Sequence, residues 1–339
     1  MHKSGTVTTV LAAAPFRTAD RAALQAAADG YRFIFSTEPD AAQLAQAEVI
    51  LGDVPPALLQ QAPRLQWLQL TSAGTDAWTQ TGSLPPEVLL TNVSGAFGQA
   101  ISEYVLALIL MLQKKLHLYR DSQSRGIWQD LGPQASPVGK RVLIAGAGDI
   151  GCAVARILKP FACHTVGIRR VPRALPPEFD EMDTLEGLDR QLPLADIVVC
   201  ALPNTPQTRG LFDRRRLALL RPEALLLNVG RGNLIDCAAL AEQLAAGALA
   251  GAALDVTNPE PLPPAHPLWR CPNCIITPHI TGGSFGHLEV TSDIICEICC
   301  ENLRRFAAGA PLRNLVDRQT GYRVTQPSVS LPGDTAAGC

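Results

Sequence analysis

The chain has 339 residues, more than one hydrophobic core of ordinary size holds, so two domains are expected. With 47% apolar and 18% charged side chains it is not an intrinsically disordered chain. Lys and Arg number 29 against 31 Asp and Glu, and the net charge of −2 excludes the basic footprint of a nucleic-acid or membrane-surface binder.

From the N-terminus, short apolar runs alternate with helical stretches. Residues 6–13, 33–35, 49–51 and 65–70 read as strands, and 19–28 and 41–47 as helices. This is the pattern of a small α/β domain with a parallel sheet. Residues 6–14 are too short a stretch for a signal peptide, and the longest apolar run, 104–112, stops short of a membrane span. A cytoplasmic location is the default expectation. Apolar positions recur at helical spacing from Ser102 to Arg125 without Pro or Gly, which predicts one long helix crossing between domains, ended by Gly126. A Gly/Pro loop at 132–137 precedes a second series. Strands are expected at 141–145, 164–168, 197–202, 224–229, 250–255 and 275–277, with helices between them, as in a doubly wound dinucleotide fold. A helix over 286–308 would return the chain to the first domain, and the Pro/Ser/Gly-rich tail 322–339 reads as disordered. The run Arg214, Arg215, Arg216 reads as a solvated helix face.

Ten cysteines include two C-x-x-C spacings, Cys271/Cys274 and Cys296/Cys299, the latter followed by Cys300. A four-thiolate zinc site is one reading of the pair. The other is reduced core thiols: Cys271 and Cys274 straddle a strand entry, and Cys296, Cys299 and Cys300 fall at helical spacing among isoleucines. The core reading is preferred, and no metal is expected.

The segment Ala145-Gly146-Ala147-Gly148-Asp149-Ile150-Gly151 follows an apolar strand and opens onto an apolar-periodic helix. A dinucleotide pyrophosphate needs this arrangement. Gly146 permits the turn, Gly148 lets backbone approach the phosphates, and Gly151 lets helix pack on strand, while the helix N-terminus presents amides to the anion. The 2′-hydroxyl of NAD is usually met by an acid at the end of the next strand. Here Arg169 stands 18 residues after Gly151, followed by Arg170, with no acid until Glu178. Two guanidinium groups suit the extra phosphate of NADP.

Three later motifs carry chemistry. Asn228-Val229-Gly230-Arg231-Gly232 follows a strand, so Arg231 lies at the carboxyl edge, where it could hold a carboxylate or carbonyl oxygen through two N–H bonds. Asp255 to Glu260 follows another strand, and Thr277-Pro278-His279 a third. A carboxylate such as Glu260 beside an imidazole such as His279 fixes its tautomer and favours its charged form, which makes a usable general acid.

In these motifs, their order and their spacing, the chain resembles the D-isomer-specific 2-hydroxyacid dehydrogenase family from about residue 65 to 317. The resemblance includes Thr71-Ser72-Ala73-Gly74-Thr75-Asp76, Ser102-Glu103-Tyr104-Val105 and Leu202-Pro203-Asn204-Thr205-Pro206-Gln207-Thr208. It implies two Rossmann- or flavodoxin-like lobes with doubly wound parallel sheets, the nucleotide lobe inserted into the substrate lobe. The substrate domain would be 1–101 with 287–321, and the dinucleotide domain 102–286. It further implies that Arg231 binds the carboxylate and carbonyl oxygen of a small 2-oxo acid, that His279 protonates that oxygen, and that Glu260 orients His279. Amides at Ala73 and Gly74 would bind the substrate carboxylate. The implied cofactor set is Gly146, Gly148, Asp149, Ile150, Gly151, Arg169, Arg170, Pro203, Asn204, Thr208, Val229, Asp255 and Gly282, with Asn228 lining the cleft and Asp255 on the nicotinamide carboxamide. A homodimer through the long helix is implied too. The first domain and the segments around Trp128 and Phe285 would shape the substrate pocket, Trp128 reading equally as a packing residue.

The chain departs from the family at Arg169, where Asp is frequent, and this favours NADP(H), with NAD(H) possible. The expected activity is NADPH-dependent reduction of a glyoxylate-, hydroxypyruvate- or phenylpyruvate-like acid. Two alternatives stay open: an NAD-dependent 3-phosphoglycerate dehydrogenase-like enzyme, and a dinucleotide-sensing corepressor-like interaction protein.

Overall fold

The computed structural model describes residues 7–80, 82–171, 174–283, 285, 287–321, 323 and 324. They form two compact units, one comprising the residues up to Val93 and from Cys296 onward, the other Ser94–Ile295.

The first unit carries five strands: β1 (Thr9–Ala12), β2 (Arg32–Phe35), β3 (Val49–Leu51), β4 (Trp67–Gln69) and β5 (Leu89–Thr91). All pair in parallel in the order β2-β1-β3-β4-β5, the flavodoxin-like order. Helices α1 (Thr18–Ala27), α2 (Ala41–Gln46) and α3 (Pro56–Leu59) connect them. Leu11, Ile50, Leu68 and Leu90, one from each of four strands, are sealed in one core. The side chain of Trp67 donates to Thr91 Oγ1 at 2.8 Å, and Thr91 in turn donates to Gln69 Oε1 at 2.8 Å, so the buried polar groups on β4 and β5 satisfy each other.

The second unit opens with α4 (Gly98–Gln113) and α5 (Leu116–Ser124). Its strands are β6 (Arg141–Ala145), β7 (His164–Arg169), β8 (Glu181–Thr184), β9 (Ile197–Cys200), β10 (Leu225–Asn228), β11 (Gly251–Leu254) and β12 (Cys274–Ile276). The helices among them are α6 (Asp149–Leu158), α7 (Leu188–Gln191), α8 (Arg214–Leu217) and α9 (Cys237–Ala245). The sheet runs β12-β11-β10-β9-β6-β7-β8, all parallel. Strand order reverses between β6 and β9, and crevices at such a reversal are where α/β sheets bind ligands. The long helix α10 (Glu289–Ala307) contains the boundary between the units. Cys296, Cys299 and Cys300 on it are buried, as their spacing suggests.

Three expectations change. The helix predicted over 102–125 is two helices, because Lys115 adopts φ 54° after α4 ends. The two lysines turn toward the returning segment: Lys114 Nζ donates to the Ala135 carbonyl at 2.8 Å and Lys115 Nζ to that of Leu131. The second series has seven strands, not six, because β8 pairs along β7 although its sequence, Glu-Met-Asp-Thr, has no apolar run. Of the tail read as disordered, Arg323 and Val324 bridge back to Val316 and Leu315, while Tyr322 and residues 325–339 lie outside the described residues. Among the described residues, no helix is long and apolar enough to cross a membrane.

Candidate active site

The glycine loop leaves the carboxyl end of β6. Gly146 turns at φ 112°, and a Cβ there would lie 2.5 Å from the Ala201 carbonyl oxygen. A Cβ at Gly151 would lie 2.1 Å from the Gly146 oxygen, so α6 could not seat against the turn with any side chain there. Gly148, by contrast, faces open space and is the N-cap of α6. Two glycines thus close the turn and the third leaves room above the helix N-terminus. This geometry fits a dinucleotide pyrophosphate. Asp149 and Ile150 form the first turn of α6 beside that space.

Arg169 ends β7 and donates its Nε to the Ala147 carbonyl at 2.7 Å. The guanidinium is thereby anchored on the glycine loop. The next acid in the chain, Glu178, is taken by Arg156 Nη2 at 2.6 Å, and this bond holds its carboxyl below its ordinary value. Arg170 is exposed beside Arg169. After β9, Thr208 is buried, donates its hydroxyl to the Pro203 carbonyl at 2.6 Å and accepts the Thr205 amide at 2.9 Å. It braces the 203–208 turn from inside. Asn204 accepts from Asn233 Nδ2 at 2.6 Å. Val229 is buried, and a methyl added at Gly282 would meet Ile101 at an ordinary 3.5 Å.

Arg231, Glu260 and His279 follow β10, β11 and β12, three adjacent strands in register, so all three leave the same carboxyl edge. Arg231 is fixed by its neighbours. A Cβ at Gly230 would lie 2.6 Å from the Leu202 carbonyl oxygen, and one at Gly232 would lie 1.8 Å from that of Thr257. Asn228 is fully buried and ties the turn, donating to the Arg231 carbonyl at 2.9 Å and accepting the Gly230 amide at 3.1 Å. Arg231 Nη1 donates to the Gly230 carbonyl at 2.8 Å.

His279 Nδ1 lies 2.6 Å from Glu260 Oε1, and both side chains are nearly half exposed. With Nδ1–H donated to the carboxylate, Nε2 is the nitrogen left for chemistry. His279 sits at φ 55°, a conformation side chains rarely adopt, held by its amide's 2.8 Å bond to the Asp255 carbonyl.

Asp255 is 2% exposed and its carboxylate accepts four bonds: Thr277 Oγ1 at 2.7 Å, the Ile280 amide at 2.9 Å, and the Thr281 amide and hydroxyl at 3.1 and 2.7 Å. Four donors fill the acceptor sites of a carboxylate. Asp255 therefore clamps the His279 loop. The two threonines flanking His279 are the signal for this in the sequence, and the reading of Asp255 as a nicotinamide contact passes over it.

In the first unit, Thr71–Asp76 follows β4. The Ala73 carbonyl accepts from Asn92 Nδ2 at 2.8 Å and that of Gly74 from Ser72 Oγ at 3.0 Å. Neither Ala73 nor Gly74 has an acceptor for its amide among the described residues. Asp53, just past β3, accepts the Thr71 amide at 3.0 Å and the Ser72 amide at 3.3 Å. The sequence reading does not include Asp53, and nothing in its spacing from Thr71 marks it.

Residues 106–281 match the D-isomer specific 2-hydroxyacid dehydrogenase, NAD binding domain. Glyoxylate/hydroxypyruvate reductase A of Serratia proteamaculans is 32% identical over 277 residues, 79% of this chain and 85% of that one. The crystal structure of a D-isomer specific 2-hydroxyacid dehydrogenase family protein from Aeromonas salmonicida matches with a TM-score of 0.82 at 34% identity, covering 92% of this chain and all of that chain. A D-isomer specific 2-hydroxyacid dehydrogenase from Xanthobacter autotrophicus Py2, in complex with NADPH and MES, matches with a TM-score of 0.78 at 32% identity, covering 94% and 100%.

Proposed function

The chain belongs to the D-isomer specific 2-hydroxyacid dehydrogenase family and is an NAD(P)-dependent oxidoreductase, and from that premise we propose that it reduces glyoxylate- or hydroxypyruvate-like 2-oxo acids with NADPH. The observation that carries this reading is the His279–Glu260 pair at 2.6 Å, on the same carboxyl edge as an Arg231 fixed between two side-chain-excluding glycines.

A dinucleotide held there would supply the hydride that the carbonyl carbon of the substrate takes. Arg231 holds the substrate's carboxylate and carbonyl oxygen by N–H bonds and offsets the charge that grows on that oxygen. His279 gives its Nε2 proton to the oxygen, and Glu260 keeps the ring turned for the transfer. The amides of Ala73 and Gly74 take the substrate carboxylate. Gly146, Gly148, Gly151 and the α6 N-terminus hold the pyrophosphate, while Asp149, Ile150, Pro203, Asn204, Val229 and Gly282 line the rest of the dinucleotide's path. Arg169 and Arg170 meet the 2′-phosphate. Support for NADPH comes from the anchored Arg169, from the pairing of Glu178 elsewhere, and from the NADPH-bound relative. Asp255 and Thr208 act through the loops they brace.

Localisation in the cytoplasm and assembly as a homodimer complete the reading. The dimer is supported by apolar side chains left exposed on and after α5, Leu116, Ile127 and the wholly exposed Trp128. Light scattering on the eluted protein tests it, and a monomeric mass rejects it.

The decisive experiment measures initial rates with NADPH and NADH on glyoxylate, hydroxypyruvate and phenylpyruvate. Faster NADPH oxidation on one of them is expected. Preference for NADH rejects the Arg169 assignment, and tight dinucleotide binding without turnover rejects the reductase.

A further inference from the structure

We propose that Asp53 sets the charge of the substrate, admitting 2-oxo acids with a single negative charge and rejecting those with a second. The proposal rests on the reading that the Ala73 and Gly74 amides receive the substrate carboxylate.

Residues 71–74 present four successive backbone amides beyond β4. A run of successive N–H groups is a cradle for anions. Its first half is filled by the chain's own carboxylate: Asp53 Oδ1 accepts the amides of Thr71 and Ser72 at 3.0 and 3.3 Å, and Oδ2 accepts Thr71 Oγ1 at 3.1 Å. The Ser72 hydroxyl lies between Asp53 Oδ1, at 3.2 Å, and the Gly74 carbonyl, at 3.0 Å. The second half, Ala73 and Gly74, keeps its amides without acceptors among the described residues. One carboxylate is thus built into the cradle beside the place for another.

Asp53 is exposed as a residue, but the protein around its carboxyl desolvates it and pushes it up, opposed by the donors of Thr71 and Ser72, and among the described residues no Lys, Arg or His lies within ion-pair distance of it. Its charge is met by neutral donors and by no cation. A substrate's own carboxylate has the two open amides to offset that field. A second anionic group, at C3 of the acid, has no such partner in this loop and meets the field of a carboxylate that no cation offsets. Placing like charges this way rejects one substrate class without improving contacts to the other. The accepted class is the 2-oxo monocarboxylate whose substituent is neutral or a hydrogen-bond donor. Hydroxypyruvate fits, and its phosphate ester does not.

The test compares kcat/KM for hydroxypyruvate, 2-oxomalonate and 3-phosphohydroxypyruvate in the wild type, Asp53→Asn, Asp53→Ser and Asp53→Glu, with thermal melting of each. The wild type is expected to favour hydroxypyruvate over both dianions. Asp53→Asn should shift the ratio toward the dianions by about tenfold, the effect of one charge at short range. Asp53→Ser supplies the same readout if the Asn variant does not fold, and Asp53→Glu should keep the wild-type ratio. A wild type that prefers a dianion overturns the proposal without any variant. A folded neutral variant with an unmoved ratio overturns it while sparing the reductase. A wild type that reduces no 2-oxo acid with either dinucleotide overturns both.

Discussion

Gly232 stands so close to Thr257 that a Cβ at position 232 would lie 1.8 Å from the Thr257 carbonyl oxygen. This contact joins the loop carrying Arg231 to the loop leading to Glu260, and it makes the glycine after the arginine a requirement of packing. Gly232→Ala must push the two loops apart. We expect it to cut kcat/KM by about 100-fold through misplacement of the guanidinium and to cost about 1–3 kcal/mol of stability. Gly282→Ala, where a methyl finds ordinary contacts, is the matched control. Steady-state kinetics and melting of the two variants check the pair, and equal behaviour rejects the argument.

His279 is the proton donor of the proposed reaction. His279→Asn should lower kcat by about 10²–10⁴-fold and leave NADPH affinity intact. Glu260→Gln removes the anion that holds the ring at 2.6 Å and should lower kcat by a smaller factor, about tenfold or more, with KM little altered. Fluorescence titration of NADPH alongside turnover separates the two steps. Full activity in His279→Asn would falsify the mechanism.

Replacing Asp255 tests a clamp rather than a contact. Asp255→Asn keeps one acceptor oxygen and leaves two of the four donors facing an amide NH2, which should free the His279 loop. Faster amide exchange at Ile280 and Thr281 is expected in the protein without dinucleotide, where a nicotinamide contact has no bearing. Unchanged exchange there would restore a direct role for the residue on the cofactor.

Arg169→Asp removes the guanidinium from the Ala147 carbonyl and reverses the charge next to the glycine loop. NADPH affinity should fall at least about tenfold more than NADH affinity, since the two differ in a phosphate. Titration calorimetry with both dinucleotides decides it. Equal losses would show that Arg169 braces the loop without meeting the phosphate.

Asp180 links pH to the stability of the second unit. Burial alone would push its carboxyl up, but the Thr165 amide and hydroxyl and the Lys159 ammonium together hold it at about 2, from an ordinary 3.8. The folded value is depressed, so the contribution is fully present above pH 3.8 and is lost as pH falls through about 2. Its side chain is a third exposed, which reduces the gain to about 1 kcal/mol. Asp180→Asn should therefore melt earlier at pH 7, with the difference shrinking toward acid. A gap of constant size at both ends would remove Asp180 from the linkage.

Much of the fold and part of the site can be read along the chain, because local chemistry carries them. A run such as Leu-Leu-Leu-Asn at β10 is buried on both faces, and such a run closed by glycine reads as a strand and its exit. Gly146, Gly148 and Gly151 are legible because each answers a demand made within a few residues. Arg231, Glu260 and His279 are legible because each follows such a strand, and adjacent parallel strands put their exits on one edge. The edge strand β8 exists only by pairing with β7, with Glu181 opposite Val166, and its own residues carry no such pattern. Lys115, where the helix breaks, donates to one carbonyl sixteen residues further on. Asp53 reaches Thr71 across a gap of 18 residues that no motif spans. Asp255 reads as a ligand contact from its position at a strand end, but long-range donors turn its carboxylate inward. Periodicity and turn chemistry are properties of neighbours in the chain and survive without a fold. The destination of a polar side chain is set by whichever donors the folded backbone brings within hydrogen-bond distance, and those belong to distant segments.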